Sequence, residues 1–133
     1  LSPTLPAAIA LDVTDAGQWP CQSFDAVFSA NTAHIMSAAA VTHLLAGASR
    51  VLRPSGLLLL YGPFHDGGIH TAASNAAFDQ HLRSLDPAMG VRDAIELVQQ
   101  AQNLGLELLA DLPLPANNRM LVLERPTPAI CSQ

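Results

Sequence analysis

Apolar and polar residues follow one another along the chain in blocks that predict alternating helices and strands. Between the chain-breaking residues 53–56 and Gly62-Pro63, five apolar residues run unbroken through 57–61. A short apolar run between turn-forming residues is typical of a buried strand. Because both faces of this strand would be apolar, it predicts a parallel sheet that helices cover on both sides.

The same kind of pattern predicts further elements on either side of this run. Strands are predicted at 7–13, 24–30, 106–111 and 119–125. A helix is predicted to begin after its N-cap Ser37. Its apolar stripe at helical spacing consists of Val41, Leu44, Leu45, Ala48, Val51 and Leu52.

Two more helices are predicted in the second half of the chain, after a polar, glycine-rich loop at 62–72. One covers 74–85. The other covers 93–104, where Asp93 and Glu96 have the spacing of a capping box. The residues of these helices expected in the core are Phe78, Leu82, Leu85, Val98 and Leu104.

This order of elements predicts an α/β fold with a doubly wound, Rossmann-like sheet. The connection between the last two strands contains Pro113 and Pro115, which predict a wide excursion instead of a tight hairpin. At 133 residues the chain is one domain at most. We expect that domain to span 1–125 and to be followed by a tail at 126–133.

Composition and charge narrow the classes of partner. The net charge is −5 and the six basic residues are scattered, which argues against a nucleic-acid backbone. No apolar run approaches about 18 residues, and the start has no basic segment, so neither a membrane span nor a secretory signal is predicted. Cys21 and Cys131 favour a reducing, cytoplasmic compartment, with a disulfide as the alternative. Since the chain begins at Leu1 and not at Met, we expect it to be a fragment.

Polar residues follow the first two predicted strands, at the edge where such sheets bind ligands. Asp12 can accept hydrogen bonds from an adenine amino group or a ribose hydroxyl, or it can cap the next turn. Asn31 and Thr32 can face a ligand. His34 titrates near neutrality and can therefore be a general base, or it can be a structural residue where a helix begins.

Two clusters of polar residues later in the chain can each be interpreted as a binding site or as part of a loop or turn. His65, Asp66 and His70 invite a metal site, but their spacing on a glycine-rich loop is not that of fixed ligands, and we expect no metal. Asn117 and Asn118 suit a tight turn because asparagine tolerates left-handed backbone angles. They can also present amides to a polar substrate.

Six motifs, in this order, resemble the methyltransferase-like 26 type family, long filed as a domain of unknown function. That family is similar to class I S-adenosylmethionine (SAM)-dependent methyltransferases. The combination of SN..FD, GVRD and PANN is the specific part, since many class I methyltransferases have a strand like RPSGLLLLYGPF. The motifs are LDVT at 11–14, SANTAHIM at 29–36, RVLRPSGLLLLYGPF at 50–64, SNAAFD at 74–79, DPAMGVRD at 86–93 and PANNRMLV at 115–122.

The resemblance implies a partial class I methyltransferase sheet, strands three to seven of seven, with SAM lying across the strand C-termini. The acidic residue that approaches the adenine matches Asp12, with Val13 beside it. The segment near the methionine part of SAM matches residues 29–34. The implied cofactor-binding residues are Asp12, Val13, Ser29, Ala30 and Asn31.

The resemblance also implies a catalytic and a substrate side. We would test His34 and Tyr61 first as catalytic residues, although methyl transfer is an in-line displacement for which a base is optional. The substrate would be bordered by the loop after the third predicted strand and by the later asparagines. The implied substrate-binding residues are Pro63, Phe64, Asn75, Asn117 and Asn118.

The chain departs from the family pattern in its first half. The glycine-rich loop after strand one and the acidic residue after strand two are missing, and we expect them upstream of Leu1. The implied function is methyl transfer from SAM to an unknown acceptor by the longer parent, with this chain alone inactive. The alternatives are a non-catalytic remnant or interaction module, and another nucleotide-binding Rossmann protein. The unpaired edge at Phe24–Ala30 could recruit a second copy.

Overall fold

A computed structural model describes residues 8–127 of the chain. Within them, no helix combines the length and the apolarity that a bilayer crossing needs. The helices are α1 (Ala38–Val51), α2 (Ala73–Leu85) and α3 (Ala94–Asn103). The strands are β1 (Phe24–Ala30), β2 (Leu52–Gly62), β3 (Phe64–Asp66), β4 (Ile69–His70), β5 (Arg92–Asp93), β6 (Glu107–Leu114) and β7 (Asn118–Glu124).

The main sheet has four strands in the order β1, β2, β7, β6. β1 runs parallel to β2, and the other two pairs are antiparallel. This mixed sheet with flanking helices confirms the predicted α/β class. The glycine-rich stretch predicted as a loop contains β3 and β4, which form a small second sheet with β5.

The core lies on one face of the main sheet. The alternate residues Leu58, Leu60, Leu121 and Leu123 are buried there beneath α1 and α3. Their neighbours on the opposite face, Leu57 and Leu59 among them, are only partly buried. The prediction of helices on both faces is therefore wrong for the described residues, because an apolar pattern shows what a strand can bury and not what covers it.

Helix α1 forms as its pattern predicts. The Oγ of Ser37 accepts a hydrogen bond from the backbone N–H of Ala40 (3.1 Å), as an N-cap does. Every residue of the predicted stripe is buried. In the other two helices the predicted stripes are partly wrong. Leu82 is buried, whereas Phe78, Leu85 and Leu104 are exposed and Val98 is only partly buried. The buried residues of α3 are Ala94, Leu97 and Ala101.

The predicted strand at 7–13 does not form in its described part, residues 8–13. Instead, Trp19 packs against α1 at Gly47, where an added Cβ would overlap the indole. The indole N–H donates to the carbonyl of Val13 (3.0 Å), which holds the segment there. An apolar run becomes a strand only beside a partner strand, and within residues 8–127 β1 pairs with β2 alone.

The prediction of a wide excursion between the last two strands is also wrong. β6 and β7 are joined by the three residues Pro115–Asn117, and Leu114 pairs with Asn118. Ala116 and Asn117 have φ angles of 63° and 58°, which lets the chain reverse at once. A proline is tolerated at position 113 because β6 is an edge strand.

Candidate functional site

The candidate site lies at the carboxyl ends of the parallel strands β1 and β2. The backbone N–H of Asn31 donates to the carbonyl of Tyr61 (2.8 Å), which extends the pairing of the two strands by one residue. A Cβ built on Gly62 would lie 3.8 Å from both Asn31 Oδ1 and His34 Nδ1. The two polar side chains therefore border the same point at the end of β2.

His34 is buried, with 6% of its surface exposed. Its ring packs edge-on against Phe78, with 5.3 Å between the centroids. Burial, and after it the positive charge of Arg92, lowers the pKa of His34. The imidazole is thus neutral at pH 7, the state in which it can take up a proton.

The turn that carries His34 is braced by its own residues. The hydroxyls of Ser29 and Thr32 hydrogen-bond each other, and the carbonyl of Thr32 accepts from the N–H groups of Ile35 and Met36. Asn31 has a φ of 55°, in the left-handed region that asparagine tolerates. Ala30 is the last residue of β1 and is partly buried.

A second polar group lies beside Tyr61. Asn118 Nδ2 donates to the Tyr61 hydroxyl (3.0 Å) from the neighbouring strand β7. The hairpin turn is tied to the start of α2, because Asn75 Nδ2 donates to the Asn117 carbonyl (3.1 Å) and Asn117 Nδ2 donates to Ser74 Oγ (3.3 Å). Asn75 is itself buried.

An ion-pair cluster next to these asparagines was not predicted from the sequence. Arg119 donates to Asp66 Oδ1 (3.0 Å) and to Asp111 Oδ1 (3.1 Å). The hydrogen bond to Asp111 and then that to Asp66 raise its pKa, against the effect of burial. A cavity of about 370 Å³ is lined by these three residues together with Asn117 and Asn118. The one available signal was an arginine directly after the asparagine pair.

The other predicted site residues make local contacts or lie in the core. Asp12 is exposed, and its Oδ1 accepts from the N–H (2.9 Å) and the hydroxyl (2.6 Å) of Thr14. Val13 packs against the core. Pro63 is buried and Phe64 is a core residue, 1% exposed, so the Phe64 ring does not line an open site.

The three residues considered for a metal are engaged elsewhere or with each other. Asp66 pairs with Arg119, and the rings of His65 and His70 pack edge-on with centroids 5.2 Å apart. Residues 8–127 hold no group of three histidine, cysteine or acidic side chains that could bind a metal ion.

The α/β fold of the chain is similar to that of methyltransferases of known structure. Over 88% of its length the chain is similar to the structure of an O-methyltransferase family protein from Burkholderia thailandensis, with 17% identity and a TM-score of 0.77. It is also similar to the mitomycin 7-O-methyltransferase MmcR, over 84% of this chain with 21% identity and a TM-score of 0.71. A third similar structure is SAH-bound CalO1, a methyltransferase in calicheamicin biosynthesis, matched over 77% of this chain with 18% identity and a TM-score of 0.64. These matches cover 35%, 32% and 30% of those proteins, so the chain spans about a third of their length.

The family is defined by a sequence model. Residues 2–125 match the model described as "Protein of unknown function (DUF938)", and the chain belongs to that family.

Proposed function

We propose that the chain is the C-terminal part of a SAM-dependent methyltransferase, of the methyltransferase-like 26 type, that works in the cytoplasm. The observation that carries this proposal is the buried, neutral His34, which borders Gly62 together with Asn31 at the carboxyl ends of β1 and β2. Ligands of open α/β sheets bind at this edge. The likeness to methyltransferase structures supports the same reading.

The residues of this chain would form one part of the cofactor pocket. In the proposal, the Asp12 carboxylate accepts hydrogen bonds from the adenosine, with Val13 beside it, and residues 29–31 border the methionine end. A carboxylate and short polar side chains fit an adenosine with its amino group and hydroxyls. The glycine-rich loop and the ribose-binding acid would come from sequence N-terminal to Leu1.

The chemistry assigned to this chain is proton handling and positioning. SAM, when bound, supplies the methyl group in an in-line displacement, in which the acceptor bonds to the methyl carbon as the bond to sulfur breaks. His34 takes the proton that the acceptor loses. Tyr61 donates a hydrogen bond to the acceptor, because its oxygen already accepts from Asn118. Alignment of the reacting atoms contributes much of the rate.

The acceptor side would be the cavity beside the hairpin turn. Asn117 and Asn118 offer amides there, and Arg119 is neutralised by Asp66 and Asp111. Asn75 supports this side by fixing the turn. Pro63 and Phe64 would support it from beneath, since both are buried.

Calorimetry with SAM and SAH tests the proposal on two lengths of the protein. Residues 1–133 alone should bind either compound weakly or not at all, because the glycine loop is missing. A version extended N-terminally by about 70 residues, enough for two βα units, should bind both. Micromolar binding by the short chain would refute this view of the pocket. No binding by the extended protein would favour the non-catalytic interaction module.

A further inference from the structure

The loop at 86–92, which follows α2 and ends on Arg92, the first residue of β5, is anchored to α2 on one side. The Asp79 carboxylate accepts from the backbone N–H of Val91 (2.9 Å) and from Arg83 Nε (3.1 Å). Gly90 lies against that ion pair: an added Cβ would be 2.9 Å from Arg83 Nη2 and 3.0 Å from Asp79 Oδ1. A side chain at position 90 would have to displace the Arg83 guanidinium, so the glycine lets the loop lie close to the helix.

On its other side the same loop holds the turn that carries His34. The N–H of Gly90 donates to the His34 carbonyl (3.0 Å). Arg92 donates through Nε to the Ala33 carbonyl (3.1 Å) and through Nη2 to the Met36 carbonyl (2.6 Å). A third bond, from Nη2 to the Ala88 carbonyl (2.6 Å), fixes the guanidinium to its own loop.

Three carbonyls of one four-residue turn thus accept from one loop. A guanidinium suits this task because its donors lie in a rigid, planar fork, whereas a lysine has a single flexible charged end. These bonds leave the His34 side chain free while they fix its backbone.

We infer that Arg92 is a positioning residue, which holds the 33–36 turn so that the His34 imidazole stays buried against Phe78 at the carboxyl ends of β1 and β2. This inference rests on the proposed function, in which His34 is the base. Arg92 does not touch the reacting atoms and acts through His34.

Arg92 also affects the protonation of the histidine. Its charge adds to burial in lowering the pKa of His34. On α2, Asp79 pairs with Arg83 and lies 3.8 Å from His70 Nε2. Asp93, next to Arg92, accepts from backbone N–H groups of α3 and of Gly67. Loss of the Arg92 charge should therefore raise the pKa of His34 toward the ordinary value of about 6.5.

NMR on the purified protein tests the inference through Arg92→Gln, with no cofactor and no substrate present. We expect three changes: loss of the ring contact between His34 and Phe78, faster hydrogen exchange at the Gly90 amide, and a higher titration midpoint for His34. Arg92→Lys keeps the charge without the fork. It should keep the midpoint low but restore the Gly90 protection only in part.

Two controls separate positioning from general destabilisation. Arg53→Gln removes an exposed arginine that pairs with Asp25, and it should leave every His34 signal unchanged. Val51→Ala weakens the core at the far end of α1 and should lower stability without moving the His34 midpoint. If Arg92→Gln does not fold, Arg92→Lys decides, since its Gly90 amide must exchange faster than in the wild type.

The outcome for Arg92 is independent of the outcome for SAM. Unchanged His34 and Gly90 signals in the folded Arg92 variants would overturn the positioning role even if SAM binds. Conversely, if the extended protein binds no SAM but Arg92→Gln moves His34, the proposed function fails and the structural role of Arg92 stands.

Discussion

Asp12 shows how one carboxylate can hold a turn and still be available to a ligand. Both hydrogen bonds from Thr14 go to Oδ1. The Thr14 hydroxyl, followed by its backbone N–H, lowers the pKa of Asp12, so the group is ionised at neutral pH. The charge that an adenosine amino group or hydroxyl would meet is therefore present before any ligand arrives.

In the extended protein, Asp12→Ala should weaken SAM binding by roughly tenfold or more, since a hydrogen bond to a charged group is lost. Calorimetry measures the change. Asp12→Asn separates the turn from the charge, because its amide oxygen can still accept from Thr14 although the charge is gone.

Asp25→Ala is the control, because this carboxylate lies at the opposite end of β1 and pairs with Arg53. It should bind SAM as the wild type does. If Asp12→Ala does so too, with an intact fold, Asp12 is a turn residue and nothing more.

At the scale of the elements, the start of α3 is capped by a single side chain, that of Asp93. Asp93 Oδ1 accepts from the N–H of Ile95 (2.9 Å) and of Glu96 (3.5 Å), as well as from that of Gly67 in the glycine-rich loop (3.1 Å). Burial raises the pKa of Asp93, but these backbone hydrogen bonds outweigh it and the net pKa is lowered. One side chain thus joins the start of α3 to the small sheet.

Asp93→Ala should lower the free energy of unfolding by about 0.5–2 kcal/mol at pH 7, the usual loss for an N-cap. Because the folded pKa is below that of the unfolded chain, about 3.9, the contribution is complete above about pH 4. It is lost as the pH falls through the folded pKa. Urea unfolding at pH 7 and pH 3 measures both effects.

Asp93→Asn separates the cap from the charge. It keeps an acceptor oxygen and should lose less stability at pH 7 than the alanine variant. An alanine variant as stable as the wild type would mean that α3 is held by its packing alone.

The elements that the sequence predicted correctly are those with local causes. α1 needs only Ser37 at its start and a regular apolar stripe. The 7–13 strand and the hairpin turn depend on partners that a single stretch of sequence does not reveal. Pro113 in particular is tolerated because β6 is at the sheet edge, which is a property of the whole sheet.

The sequence predicted where in the fold the site lies, but not which side chains contact one another there. The residues after two parallel strands had to meet, and Asn31 and His34 do lie beside Gly62. Arg92 and Arg119 were not foreseen as partners because each acts across 50 or more residues, on Met36 and on Asp66. From the sequence alone, such charged residues cannot be told from ordinary solvent-exposed ones.

At the scale of the whole molecule, the main sheet presents an open edge and an open face. Among the described residues, β1 has a strand on one side only, and Phe28 in it is 61% exposed. In register beside Phe28 lie the partly buried Leu59 and then Val122. An unpaired edge next to an apolar surface is a place where another chain can add.

The isolated chain 1–133 should therefore self-associate through β1 as its concentration rises. Phe28→Lys should reduce this association, because a charge on an edge strand opposes pairing. Ile95→Lys is matched to it, since Ile95 is 60% exposed but lies on α3, and it should have no effect. Light scattering over a concentration series gives the comparison.

Hydrogen exchange, together with light scattering, can contradict the predicted self-association. A monodisperse monomer whose amides at 24–30 and 7–13 are strongly protected would contradict the prediction. Both segments would then be fully paired without a second copy.

The packing of Trp19 on α1 gives the protein an optical reporter. It is the only tryptophan in the chain, and the indole lies over Gly47 with its N–H bound to the Val13 carbonyl. Its fluorescence should therefore respond to detachment of the connection before β1 from the helix layer. A change in emission when SAM is added to the extended protein would thus indicate that the segment carrying Asp12 and Val13 responds to the cofactor.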